Sequence, residues 1–175
     1  MTEKENTMQG IAGKGVLLTI GNESPVADNT TIMLYLVRRA ALKEHTPTAY
    51  FSPGLSNVGV VNRLLAVVTG IDRSHIETGT LSDEEWVQMD SQLPLLTGAP
   101  LYIDDTPEIE LSELDRKVKE LVKDKGVRLV VVNPVSMMTV ANQKFDDAQQ
   151  RIDCITDCLK DLAEELGITI FAVEK

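Results

Sequence analysis

Positive charge is scarce in this sequence. Its 17 Lys and Arg face 27 Asp and Glu, for a formal net charge of −10. That balance argues against a large electrostatic footprint for nucleic acid without refuting one, since it leaves room for a local basic patch. Cysteine is scarcer still: Cys154 and Cys158 are the only two, four apart in a helical pattern. There is no second Cys pair to complete a zinc site, and neither His45 nor His75 is close to them in sequence. They read as reduced helix residues, in keeping with a cytosolic compartment. No apolar run approaches the ~18 residues of a membrane span. Met1 to Thr7 also lacks the apolar stretch of a secretory signal. The expected location is cytoplasmic, with no membrane partner.

What is present is an ordinary globular composition, 43% hydrophobic and 25% charged over 175 residues, enough for one domain with its own core. Residues 1–12 form a polar leader, expected to be disordered in part. From residue 13 onward, short apolar runs alternate with helical patterns. Val16–Ile20, Thr48–Phe51, Leu101–Ile103, Leu129–Val132 and Ile168–Val173 read as strands. Thr31 to Glu44 lacks breakers and carries apolar residues on nearly every face of its first half, which predicts a buried helix. Ser56 caps a second helix stopped by Gly70, and Ser82 with Glu85 makes a capping box for a third. Leu111–Val122 and Ile152–Leu166 carry apolar stripes that end at Gly126 and Gly167. Strands separated by helices, with no tight hairpin signal, predict an α/β fold: a mainly parallel sheet with helices on both faces.

In such folds the working site lies at the carboxyl ends of the strands. A phosphate-binding loop there needs glycines that free backbone N–H groups, a lysine for the β/γ oxygens and a Ser/Thr for Mg²⁺. The loop after the first strand, Asn22 to Thr31, has the place, roughly the length and a terminal threonine. It has neither the glycine nor the lysine. Glu23 and Asp28 bring negative charge where a triphosphate would sit.

Further along, several stretches fall in a familiar order. They are Ala41–Ser52; Ile71-Asp72-Arg73 with Thr78–Trp86; Pro100–Pro107, which reads PLYIDDTP; Leu129–Val132 followed by Met137-Met138; and Gln149-Gln150 with Leu159–Leu166. In order and spacing they resemble the motor domain of DnaB-type replicative helicases. The resemblance covers about residues 13–175. It implies a RecA-like, three-layer α/β/α core of the P-loop type, an ATP–Mg²⁺ site and a part in DNA replication. It also implies that the chain stops after the fifth strand, before the family's last strands and its arginine-finger hairpin.

Carried over residue by residue, the resemblance fails at the chemistry. The family's phosphate loop falls on Ser24, Pro25, Val26, Ala27, Asp28, Asn29 and Thr30, with Thr31 next, so that Asp28 takes the glycine and Asn29 the lysine. In the alternative register Asn29 takes the glycine and Thr30 the lysine. Gly54 stands at the glutamate that polarises the attacking water, and Asn133 at the Walker B aspartate. Ser136 and Lys175 fall at two glutamine positions. Catalysis of phosphoryl transfer is almost wholly positioning and electrostatics, and each lost group commonly costs about 10²–10³ in rate. The expectation is a domain with no catalytic residues and no cofactor, which works through a protein partner or a second copy. The alternative is a nucleotide-binding domain with an unconventional phosphate site, in which Lys14, Arg38 or Lys43 supplies the cation.

The family's DNA-gripping loop falls on Val140–Ala148, which has one lysine and two aspartates, so binding to nucleic acid is expected to be weak or absent. Asp104 and Asp105 are expected to brace a turn rather than bind a metal. Trp86 is expected to pack its helix on the core. The cluster Lys117, Lys119, Lys123 and Lys125, interleaved with acids, is expected to be a solvated helix face.

Overall fold

The computed structural model describes residues 13–21 and 28–174. The leader, Lys175 and the middle of the first loop, with Ser24 and Pro25, lie outside the described residues. Five strands, β1 (Val16–Ile20), β2 (Thr48–Phe51), β3 (Leu101–Asp104), β4 (Leu129–Val132) and β5 (Thr169–Val173), form one sheet in the order β1-β5-β4-β2-β3. Every neighbouring pair is parallel. The strands expected from the sequence therefore agree to within a residue at their ends.

Among the described residues there are six α-helices, α1 (Asn29–Val37), α2 (Asn57–Thr69), α3 (Arg73–Thr78), α4 (Asp83–Thr97), α5 (Leu111–Lys125) and α6 (Ala148–Leu166); α1, α2, α5 and α6 cover the sheet, and α3 and α4 pack against α2. The alternation of side chains along each strand sorts the core into two layers. Ala49, Phe51, Val130, Val132, Ile170 and Ala172 point to one face, where Leu114 and Val118 of α5 and Ile155, Leu159 and Leu162 of α6 meet them. Tyr50, Leu129, Val131, Phe171 and Val173 point to the other, under Met33, Leu34 and Val37 of α1 and Val60 and Leu64 of α2. Every residue of β4 is buried. Its Leu-Val-Val-Val run is what a central parallel strand covered on both faces requires. This is the expected three-layer α/β/α fold.

Helix ends follow local chemistry. The Ser56 hydroxyl accepts the N–H of Gly59, and α2 stops at Gly70, whose φ of 78° suits glycine best. Ser82 and Glu85 close the expected capping box on α4. Three features depart from expectation. The segment expected as one helix over Thr31–Glu44 starts at Asn29 and changes at Val37 into a π-helical turn, Arg38–Lys43. The wider turn keeps three consecutive residues, Ala40, Ala41 and Leu42, against the core. The short helix α3, capped by Asp72, has too few residues to show a periodic pattern and was not expected. Trp86 does not pack on the core; it is 51% exposed, and α4 has no buried residue. The half-buried face of α4 is Glu85, Met89, Gln92 and Leu96, and Trp86 lies one residue, about 100°, around the helix from it.

Candidate functional site

The sequence-derived site residues that are described gather at the carboxyl ends of the strands. Asn133 leaves the end of β4, the central strand, where its N–H donates to the Phe51 carbonyl of β2 at 3.0 Å. The peptide bond to Pro134 is cis. The residue is 6% exposed, and its amide Nδ2 donates to Thr30 Oγ1 at 3.0 Å and to Tyr50 Oη at 2.8 Å. One side chain thus ties β4, β2 and the first turn of α1 together. Burial raises the Tyr50 phenol above its ordinary value, and the bond from Asn133 pulls the other way. Arg63 and Asp28 also act on the phenol, in opposite senses.

Those two residues form the second half of the site. Asp28 caps α1: one carboxylate oxygen accepts the N–H of Thr30 at 3.1 Å, and the other accepts the Thr31 hydroxyl at 3.1 Å. The second oxygen also meets Arg63 Nη1 of α2 at 3.0 Å. A helix N-terminus presents free N–H groups and the positive end of a dipole, so it attracts anions. Here the chain's own carboxylate already stands on it, with a guanidinium as counter-ion. Asn29, the first residue of α1, buries its side-chain Oδ1 with no hydrogen-bond partner among the described residues.

Gly54 lies in the turn after β2. A Cβ built there would come within 2.5 Å of Met137 Sδ and 3.3 Å of Pro134 Cδ, so that any side chain must displace Met137. At the end of β3, Asp104 Oδ1 accepts the Thr106 N–H at 3.0 Å, and Asp105 Oδ2 accepts the Asn57 N–H at 2.7 Å. These carboxylates brace loops, as expected. Lys117 is not a freely solvated residue: its ammonium reaches Asp104 at 2.7 Å, Thr106 at 2.8 Å and Glu113 at 3.1 Å. Burial raises the pKa of Asp104, but the bonds from Lys117 and Thr106 outweigh it and hold the carboxyl below its ordinary range. Among the described residues no group of three or more His, Cys, Asp or Glu could hold a metal ion.

The basic residues named as substitutes lie elsewhere. The backbone of Lys14 approaches Thr169, at the opposite end of β5, and Arg38 donates to the Val67 carbonyl. Lys43 sits in the π turn before β2 begins. The cation at the site is Arg63, which no motif marked. Tyr50 was legible only as a strand residue, although strand alternation puts it on the α1 side of the sheet.

The family model of the DnaB-like helicase C-terminal domain matches residues 2–175. The chain belongs to that family. This DnaB-like chain is 28% identical to the replicative DNA helicase DnaB of Mycobacterium leprae over 165 residues, which cover 94% of this chain and 26% of the relative. It is 26% identical to DnaB of Geobacillus stearothermophilus over 174 residues, covering 99% of this chain and 38% of that one. Among solved structures, a DnaB-like replicative helicase solved with its interactions with primase superposes with a TM-score of 0.75 at 16% identity, over 94% of this chain and 39% of the other. A second solved structure, an ATPase domain, gives 0.76 at 16% identity, over 93% of this chain and 57% of the other. The DnaB-like chain thus spans well under half the length of these curated relatives.

Proposed function

We propose that this DnaB-like domain has given up nucleotide hydrolysis and serves as an interaction or assembly module, in the setting of DNA replication or a mobile element. The observation that carries the reading is the Asp28 carboxylate on the N-terminus of α1, bonded to Thr30, Thr31 and Arg63. A phosphate would need those same N–H and hydroxyl groups, and like charge opposes its approach. P-loop enzymes hold Mg²⁺ between the loop Ser/Thr and the Walker B aspartate. In the register that sets Asn29 at the lysine, the corresponding pair is Thr30 and Asn133, a hydroxyl and an amide bonded to each other with no carboxylate between them. Gly54 offers no base to orient water. These residues do not fit a magnesium–triphosphate. Partners are then proteins: another protein or a second copy of this chain.

Thermal denaturation with ATP and Mg²⁺ tests the reading, because a ligand at 100 times its Kd stabilises the native state by about 2.7 kcal/mol. For a chain of this length that corresponds to a rise in Tm of very roughly 5–10 °C. The expected result is no rise at millimolar nucleotide and no turnover above background. ATP turnover that disappears in the T30V variant would overturn the proposal.

The second reading, a nucleotide-binding domain with an unconventional site, has one observation in its favour. Arg63 is a cation already at the helix terminus, and if Asp28 turned away it would meet an incoming anion alongside Thr30 and Thr31. A nucleotide-induced rise in Tm that Arg63→Ala removes would select it.

A further inference from the structure

Cys154 and Cys158 stand four residues apart on α6, so one turn of helix stacks them on the same face. Both are free thiols, Cys154 half-buried and Cys158 exposed. Cys154 Sγ donates to Gln143 Oε1, in the loop before α6, at 3.8 Å, and the two thiols lie within hydrogen-bonding reach of each other. Beside them an open cleft of about 290 Å³ separates α6 from the start of α5. Leu111 and Asp115 line one side of it, and Cys158, Leu159 and Leu162 the other.

Three common uses of a cysteine pair do not suit this one. Helical Cβ atoms four residues apart lie about 5–6 Å from each other, whereas a disulfide needs about 3.5–4.5 Å. Closing one here would distort the turn that carries Ile155 and Leu159, both fully buried. A structural zinc takes four ligands, and among the described residues no third His, Cys, Asp or Glu joins the two thiols. Nor is Cys158 a ready nucleophile. Burial raises its pKa, and Cys154 and the charges of Asp161 and Asp157 raise it further, so the thiol stays protonated at neutral pH and is slow to oxidise.

A cation that takes only two ligands, both sulfur, does suit the pair. Two metal–sulfur bonds of about 2.3 Å, the zinc–thiolate length, span about 4.6 Å when they lie in line. Sulfurs carried on Cβ atoms about 5–6 Å apart reach that separation in ordinary rotamers, with the helix intact. Soft thiolates select monovalent copper, zinc or iron–sulfur clusters. Zinc and the clusters call for four ligands, which leaves copper. The nearby acids, Asp115, Asp157 and Asp161, attract a cation and oppose a bare thiolate, so the protons leave only as the metal arrives.

We propose that Cys154 and Cys158 form a two-coordinate site for a soft monovalent cation of the copper(I) class, at the edge of the cleft between α5 and α6. Binding breaks two S–H bonds and forms two metal–sulfur bonds. Two protons pass to solvent, nothing is oxidised or reduced, and the complex carries one negative charge. The Gln143 amide, turned about its last torsion, then donates an N–H to the Cys154 thiolate. The inference goes beyond the loss of hydrolysis. It uses no residue of the phosphate site, so nucleotide binding there would leave it standing.

The probe is copper(I) presented without oxygen as its coloured bicinchoninate complex, which fades as the protein withdraws the metal. One copper per chain is expected to transfer, with a thiolate-to-copper band appearing in the ultraviolet. C154S and C158S are each expected to weaken binding at least about a hundredfold, more than the loss of an outer-shell partner costs. Q143A is expected to weaken it by about tenfold. The double variant C158S/D161C keeps two thiols but sets them seven residues, about 10 Å, apart, and is expected not to restore binding. Asp161 is exposed, so the exchange leaves the core untouched. Should C154S disturb the helix dichroism, the exposed Cys158 decides through C158S alone. The proposal is overturned by the absence of transfer, by binding that survives C158S, or by its recovery in C158S/D161C. It is also overturned by zinc binding as tightly as copper, or by one copper per two chains, which would make the metal a bridge between copies.

Discussion

At the scale of single residues, Asn133 is the link whose removal reports most about the site. Its amide serves a phenol on β2 and a hydroxyl on α1, both in a place where water has little access. Truncation to Ala leaves the Tyr50 hydroxyl buried without that partner, which costs about 1–3 kcal/mol. Changing both partners removes the orphan along with the bond, so the losses of N133A and Y50F should not add. The expected outcome is a fall in Tm of several degrees for N133A and a smaller further loss when Y50F is added. Urea unfolding of the two single variants and the double variant measures the coupling, expected near 1 kcal/mol. Additive losses would mean that the observed bond contributes nothing. The positions of Asn133 and Gly54 were legible in the sequence because apolar strands place their ends. The identity of the counter-ion was not, since Arg63 is 35 residues from Asp28 and the two meet only once α2 is packed.

Among the elements, what is local was legible and what is tertiary was not. The capping box at Ser82 needs four residues and was visible in them. The π turn after α1 and the outward aspect of Trp86 depend on which side of a helix the core takes, and a moderate apolar pattern does not decide that. The short helix α3 is joined to α4 by a pair that no motif marks: His75 Nδ1 lies 2.8 Å from Glu85 Oε1. The hydrogen bond to Glu85 and its charge raise the His75 pKa above 6.5, and the Ser82 N–H and His75 hold Glu85 below 4.5. The sign follows from each shift. The raised histidine contributes stability that is full below about 6.5 and is lost as pH rises through its folded pKa. The depressed glutamate contributes above about 4.5 and is lost as pH falls through its folded value. The pair therefore holds best between those values and loosens as pH rises through the raised histidine pKa. An NMR titration of His75 is expected to give a pKa above 6.5 that falls back toward it in E85Q; an unchanged value in E85Q would show that the contact is not formed in solution.

For the whole molecule, the class of fold was readable because five apolar runs alternated with helices, and periodicity reports burial. The order β1-β5-β4-β2-β3 was not readable, because it is set by where each crossover lands. Net charge, by contrast, is a whole-molecule property that the sequence states outright, and it bears on the family's usual ligand. Affinity for DNA at physiological salt comes mainly from cations that displace counter-ions from phosphate. This chain carries −10 overall, and the exposed stretch Asn142–Lys144 offers one lysine just before Asp146 and Asp147. Non-specific DNA binding spans Kd values of about 10⁻⁴–10⁻⁶ M, and this domain should fall at or beyond the weak end. Fluorescence anisotropy of labelled oligo-dT is expected to show no saturable rise at physiological salt. It should also show little dependence on salt, because few counter-ions are there to be released. Micromolar binding with a steep salt slope would overturn the expectation and reveal a basic surface that the net charge does not report.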